Sequence, residues 1–362
     1  MTKGPYPRLL IDTKKLQSNI QTMMRVCQDY GIVVSGVVKG TNGIPEIIEN
    51  FIQAGMKHLA SSRLCQLERI KKMDPSIHTL ALRIPMLSEL DELIEVADCS
   101  LNSEIETLTA LNELCQRKNK HHEVVLMNDL GDLREGFFEQ EELIQAAVYV
   151  ENKCPNLYLK GIGTNLGCYG SIEPDQENLG QLIENARIIE EQIGRSLDWI
   201  SGGATTSVPL VLNKTMPKGI NHLRIGDGIY LRDMELYFDY HFDQMHGDVF
   251  ILEGEIIEIH NKPSHPIGTI SVDAFGNRPV YEDIGRRDRA LLAMGRQDIG
   301  DMTKLIPLDQ NIVVKGGSSD HTIVDITESE KNYKLGDTIK FTLQYENLLL
   351  ASSSEYIYKQ YI

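Results

Sequence analysis

The 362-residue sequence is short of positive charge, and it has neither a long apolar run nor a regular cysteine spacing. Lysine and arginine total 36 against 52 aspartates and glutamates, for a formal charge of −16. That balance argues against nucleic acid or an anionic membrane surface as a main partner. No window approaches the roughly 20 apolar residues of a spanning helix, and the opening MTKGPYPRLLIDTKKL contains no apolar stretch of signal length. The six cysteines, Cys27, Cys65, Cys99, Cys115, Cys154 and Cys168, show no CxxC spacing, so neither a zinc ribbon nor a disulfide framework is indicated. Ten histidines include no HExxH or paired arrangement, and no metal is expected. There is no internal repeat and no low-complexity linker. These absences together predict a reduced, cytoplasmic globular protein.

Its length suits two packed domains. Over residues 1–232 short apolar runs at 32–38, 58–61, 78–83, 97–101, 123–128, 157–163, 197–201 and 222–225 read as strands. Between them lie amphipathic segments such as 45–55, 103–118 and 177–194, with apolar residues at i, i+3, i+4 and i+7. A further helix over 13–30 precedes the first strand. Pro45 sits as an early helical residue, and Gly55 and Gly194 as stops. Eight strands, each followed by a helix or turn, predict an α/β protein with an N-terminal (β/α)8 TIM-type barrel; a doubly wound sheet usually stops at five or six. Over 233–362 the texture changes. Strand-like runs at 248–263, 268–276, 289–295, 311–317, 321–327 and 337–345, split by Gly, Pro and Asn, predict a C-terminal all-β domain.

Chemistry in such a barrel gathers at the C-terminal strand ends. The predicted ends carry Lys39, Ser61-Ser62-Arg63, Arg83, Asn102-Ser103, Asn128-Asp129 with Arg134 beyond, Thr164-Asn165, Ser201 to Thr206 ("SGGATT"), and Arg224 to Gly228 ("RIGDG"). Glycine-rich turns after the seventh and eighth strands are where this fold usually binds phosphate. Each turn alone reads as structural, but the pair at that place favours an anion site. A lysine closing a buried strand has little access to solvent. Desolvated beside Arg134 and Arg224, Lys39 would have a lowered pKa and could act as nucleophile and then base. A phosphate site with a barrel-mouth lysine points to pyridoxal 5′-phosphate held as a Schiff base. "GIGTNLG" (161–167) has GxGxxxG spacing and follows the sixth strand, so it is not a dinucleotide fingerprint.

The chain resembles the alanine-racemase-like, fold-type III pyridoxal-phosphate enzymes, most closely their ornithine racemase branch. The resemblance runs over nearly the whole length, through "VVKG" (37–40), "MNDLGDLREGF" (127–137), "GIGTNLGCYG" (161–170), "ISGGATTSVPL" (200–210), "NHLRIGDGIYL" (221–231), "AMGRQDI" (293–299), "GGSSDHTIVDIT" (316–327) and "LQYE" (343–346). It implies that Lys39 is the Schiff-base lysine and moves the α-proton on one face. Arg224 matches the arginine facing the pyridine nitrogen; a guanidinium keeps its proton, which favours racemisation over transamination. Arg134 matches the arginine near the cofactor's phenolic oxygen and the substrate carboxylate. Gly203, Ala204, Thr205 and Gly226 fall at phosphate positions, and Tyr345 matches a tyrosine reaching the phosphate. The resemblance also implies a head-to-tail homodimer in which residues 233–362 complete the partner's site, supplying Ser319 and Asp320 to the substrate.

Three positions depart from the family pattern. Gly43 stands where alanine racemases carry a phosphate-touching tyrosine. Asn165 replaces a histidine that packs on the cofactor ring. Arg296 replaces the tyrosine that serves as the opposite-face base, and arginine cannot be a base at neutral pH. Asp298 is the preferred substitute, with Asp320, His321 and Cys168 as the other candidates. The expected activity is racemisation of a basic amino acid such as ornithine or lysine, with Asp129, Asp132 or Asp227 near the side-chain ammonium. The alternatives are another reaction of this fold type (aldolase, dehydratase, decarboxylase) and a non-catalytic cofactor-binding protein.

Overall fold

The computed structural model describes residues 5–238 and 240–362. It divides into two compact units, Gln17–Met245 and a second made of the residues up to Leu16 with His246–Ile362. The expected boundary at 232 therefore lies near 245, and the first sixteen residues leave the barrel. Arg8–Ile11, unread in the sequence, is the reason: it forms a strand, β1, in the second unit.

The first unit is a closed barrel of eight parallel strands in sequence order. They are β2 (Val33–Val37), β3 (His58–Ser61), β4 (His78–Ala81), β5 (Cys99–Asn102), β6 (His122–Met127), β7 (Leu157–Gly163), β8 (Trp199–Ser201) and β9 (His222–Ile225). Closure is made by β9 on β2, with Val33 opposite His222 and Gly36 opposite Ile225. Helices over Pro45–Gln53, Leu64–Met73, Leu90–Val96, Ile105–Lys118, Gln140–Lys153 and Gln176–Ile193 connect them. Local signals bound these helices as expected. Pro45 opens the first, where its missing N–H is harmless. Asp175 caps the last by accepting from the N–H groups of Glu177 and Asn178, both at 2.8 Å, and Gly194 ends it in the left-handed region.

Val37, Ala60, Leu80, Cys99, Leu101, Val125, Met127 and Trp199 form one buried cluster. It draws on β2 to β6 and β8, and so fills the barrel interior. Truncating a fully buried leucine here would cost about 2–5 kcal/mol.

The second unit is an eight-stranded sheet organised on β10 (Phe250–Pro263). Its first half pairs with β1 on one side and with β15 (Thr338–Thr342) on the other. Its second half pairs with β11 (Arg286–Leu292). β12 (Ile306–Pro307), β13 (Val313–Gly317) and β14 (Thr322–Asp325) extend the sheet, and β16 (Tyr358–Tyr361) runs parallel to β1. Buried Glu253 on β10 faces Arg8 on β1 and Lys340 on β15, pairing with both. Two expectations change. The segment 268–276 is not a strand: Asp273 Oδ1 accepts from the N–H groups of Phe275 and Asn277, closing a turn where a ladder was expected. Tyr345–Ser353 is a helix, so the unit is not purely β. Among the described residues, no helix is long and apolar enough to cross a membrane.

The N-terminal end of the barrel carries an aromatic layer. His58, His78, His122 and His222 are the first residues of β3, β4, β6 and β9, and Trp199 opens β8. Trp199 stacks on His222 with centroids 4.0 Å apart, and Lys160 lies over the indole at 4.7 Å. Burial, above all, lowers the pKa of His58 and of His122 from 6.5 to about 4, and it lowers that of His222 as well. Folded-state pKa values below the unfolded value mean that the unfolded chain binds more protons between them. Their stability contribution is therefore present above pH 6.5 and lost as the pH falls toward 4. Urea midpoints measured from pH 7 down to 4.5 should decline, and His122→Gln should make that decline shallower.

Candidate active site

Lys39 follows β2 in a single 3₁₀ turn, Lys39–Thr41, at the C-terminal mouth of the barrel. Burial lowers its pKa; Arg134 and Arg224 push the same way, while Cys168 and Glu135 oppose. The turn is braced from below. Gln66 accepts from Ser61 Oγ at 2.6 Å and donates to Asn42 Oδ1 at 3.0 Å, and Arg69 reaches the carbonyls of Asn42 and Gly43. A Cβ at Gly43 would lie 2.9 Å from Gln66 Cβ, with a backbone φ of +57°. Gln66 and the left-handed backbone therefore disfavour the tyrosine that the resemblance would place here.

Arg224, near the end of β9, is buried and has no carboxylate bonded to it among the described residues. Nη1 donates to Ser201 Oγ, and Nη2 donates to the Thr164 carbonyl at 2.7 Å. Ser201 Oγ, occupied as an acceptor, gives its own proton to His222 Nδ1 at 2.8 Å. The neutral ring then carries its proton on Nε2 and donates to Ser35 Oγ at 2.9 Å. Burial lowers the Arg224 pKa to about 10, so the group stays charged at neutral pH.

The loops after β6 and β7 are joined by Asp132. Its buried carboxylate accepts from the N–H groups of Gly167 and Tyr169 at 3.0 Å and of Ile172 at 3.4 Å. Burial raises its pKa, but those donors outweigh it and the net shift is downward. Cys168 is thereby held, exposed, between two tethered amides, within electrostatic range of Lys39, Arg134 and Arg224. Asp129 closes its own turn, accepting from the N–H groups of Gly131 and Leu133. Asp132 has both oxygens and Asp129 its Oδ1 engaged by backbone amides. Arg134 pairs with Glu135, which raises its pKa.

The glycine turns after β8 and β9 lie together. Gly228 N–H donates to Thr205 Oγ1 at 3.2 Å, which leaves the hydroxyl proton free to donate, and Thr206 Oγ1 donates to the Leu166 carbonyl. Gly203 has φ +114°, and a Cβ there would lie 2.6 Å from Ser207 Oγ. Thr164 Oγ1 and Asn165 Nδ2 are buried without a hydrogen-bond partner among the described residues. Three cationic groups, a backbone cradle and two orphaned polar atoms fit an anionic ligand with hydrogen-bonding groups and an electrophilic carbon for the amine, as pyridoxal 5′-phosphate has.

The structure thus brings Lys39, Arg134, Asn165, Gly203, Ala204, Thr205, Arg224 and Gly226 to the strand ends and following loops of one barrel. Asp298, Ser319, Asp320 and Tyr345 belong to the second unit. Ser319 and Asp320 pack against the turn 295–298: Gln297 N–H donates to the Ser319 carbonyl, and its side chain to Asp320 Oδ1 at 2.6 Å. Asp298 is buried in that turn. Its carboxylate accepts from Gly295 N–H at 3.1 Å and from Ser354 Oγ at 3.3 Å. That is a capping geometry, with each oxygen binding one of the protein's own donors. Tyr345 opens the helix to Ser353. Among the described residues, no group of three or more His, Cys, Asp or Glu stands in a metal-holding arrangement.

A family model described as "Alanine racemase, N-terminal domain" matches residues 11–233. The chain is 41 % identical over 355 residues to ornithine racemase of Acetoanaerobium sticklandii, covering 98 % of this chain and 99 % of the relative. It is 35 % identical over 356 residues to lysine racemase of Thermotoga maritima, covering 98 % of each. Among solved structures, alanine racemase from Bartonella henselae with covalently bound pyridoxal phosphate matches with a TM-score of 0.74 at 17 % identity, over 99 % of this chain and all of that one. This last likeness shows the fold.

Replacing Asp132 by alanine should release three amides at once and destabilise the protein by about 3 kcal/mol. Thermal denaturation, with iodoacetamide labelling of Cys168 as a monitor of the loop, checks this; unaltered melting and labelling would contradict the clamp.

Proposed function

The chain belongs to the alanine racemase family, and from that premise we propose that it is a pyridoxal 5′-phosphate-dependent racemase, an isomerase, of a basic amino acid, ornithine or lysine. The observation that carries this is the half-buried Lys39 amine at the barrel mouth, within electrostatic range of Arg134 and Arg224. Bound there, the cofactor supplies an electron sink that makes the α-proton of the amino acid acidic.

Lys39 would hold the cofactor, and Gly203, Ala204, Thr205 and Gly226 would cradle its phosphate, with Asn165 alongside. Lys39 Nζ, its pKa lowered by burial, can take a proton on one face and return it. Arg224 stays charged and keeps its protons, held by Ser201 and Thr164, so it donates hydrogen bonds and transfers nothing. Arg134 supplies positive charge for a substrate carboxylate. With Asp298 occupied as a cap, Cys168 is the opposite-face proton carrier that the barrel itself can offer. The reading extends to a head-to-tail homodimer in which residues 233–362 of one subunit supply Ser319 and Asp320 to the other, and to a cytoplasmic location, in keeping with six unpaired cysteines.

Incubation with L-ornithine, L-lysine and L-alanine in D₂O, followed by α-proton exchange and optical rotation, tests the reaction. Exchange with inversion is expected on the basic substrates. Lys39→Ala should abolish both, and Cys168→Ser should keep exchange while losing inversion; a wild-type protein that exchanges nothing would overturn the assignment. For the dimer, mixing inactive Lys39→Ala with inactive Asp320→Ala should restore activity by pairing one intact barrel with one intact β unit. A mixture as inactive as its components would rule out shared sites.

A further inference from the structure

A second ammonium on the substrate must enter a mouth where Lys39, Arg134 and Arg224 already place positive charge. It needs a carboxylate there, and the loop after β6 offers three acids: Asp129, Asp132 and Glu135. Asp129 turns Oδ1 to the amides of Gly131 and Leu133 in its own turn, and both oxygens of Asp132 are taken by amides of the loop after β7. Among the described residues, Glu135 accepts no such backbone bond. Its one ion pair among those residues is with the adjacent Arg134, and its side chain is 17 % exposed against 40 % for Arg134.

The loop itself fixes where Glu135 stands. Asp129 N–H donates to the Phe137 carbonyl at 3.0 Å, Phe137 N–H donates to the Met127 carbonyl at 2.8 Å, and Asn128 Nδ2 donates to the Phe137 carbonyl at 3.0 Å. The loop therefore closes on the end of β6, and Glu135 lies two residues before the closing contact, at its base. Gly136 makes this possible: with φ +129°, a Cβ would sit 2.5 Å from Asp129 N. Glu135 is also the one carboxylate among the principal charges acting on Lys39.

We propose that Glu135 binds the side-chain ammonium of the substrate and sets the preference for a basic amino acid. The assignment rests on the substrate class proposed above. In the free protein Glu135 neutralises Arg134. When Arg134 turns to a substrate carboxylate, Glu135 exchanges one cation for another, so the charge balance of the mouth is kept. A neutral side chain would leave that carboxylate half-buried and unpaired, which disfavours it.

L-Norleucine has the shape of L-ornithine with a methyl in place of the ammonium, so the ratio of kcat/KM for the two isolates the charge. Glu135→Gln should reduce the ornithine-to-norleucine ratio by about 100-fold. The melting temperature and the visible absorbance of the bound cofactor report whether the variant is folded and loaded. An equal loss on both substrates would show that Glu135 acts only through Arg134, and would overturn the proposal. A ratio that survives the substitution would overturn it too. If the wild type favours neither ornithine nor lysine over norleucine, the substrate class itself falls and the assignment with it. Should the glutamine variant not fold, Glu135→Asp provides a second arm. It keeps the charge but withdraws it by one methylene, so preference should move from ornithine toward the longer lysine; an unmoved lysine-to-ornithine ratio would overturn the proposal.

Discussion

Arg224, buried, and Lys39, half-buried, stand at the barrel mouth with no carboxylate bonded to either among the described residues. Burying a charge is expensive unless its hydrogen bonds are met. For Arg224 they are met by a hydroxyl and a carbonyl, and the hydroxyl is kept in the accepting role by a neutral histidine behind it. His222 can fill that role only because burial keeps it unprotonated. The aromatic layer at one end of the barrel and the charged mouth at the other thus share one chain of hydrogen bonds.

The loops around those cations follow the same logic. Their acids are mostly turned inward to backbone amides, so the mouth keeps a positive balance suited to a phosphate and a carboxylate. Asp132 shows this best: a residue that in sequence could serve a ligand instead ties two loops together. What remains for a ligand is decided by which carboxylates the backbone leaves alone.

Much of this was legible from the chain. The barrel strands announce themselves as short apolar runs between amphipathic helices, and the strand ends name Lys39, Arg224 and both glycine turns without a structure. β1 was not legible, because four residues of pattern RLLI between Pro7 and a helix cap carry no signal of a partner 240 positions away. Residues 268–276 alternate like a strand, yet a local Asp273 turn wins over pairing. Asp298 looked like a base from its place beside Arg296, and only the fold shows Gly295 and Ser354 claiming its oxygens. Gln66 and Glu135 gave no advance sign, since their meaning depends on contacts that the loops create.

β1 also has a bearing on how the molecule is made. Its neighbours are β10 and β16, so the second unit takes its first strand from residues 8–11 and its last from 358–361. On the ribosome, everything the barrel needs has emerged once residue 245 is out, and it can close while synthesis continues. The sheet cannot. Arg8 waits unpaired for Glu253, and one edge of its strand stays open until residues 358–361 arrive, leaving a hydrogen-bond-hungry ribbon exposed in the meantime.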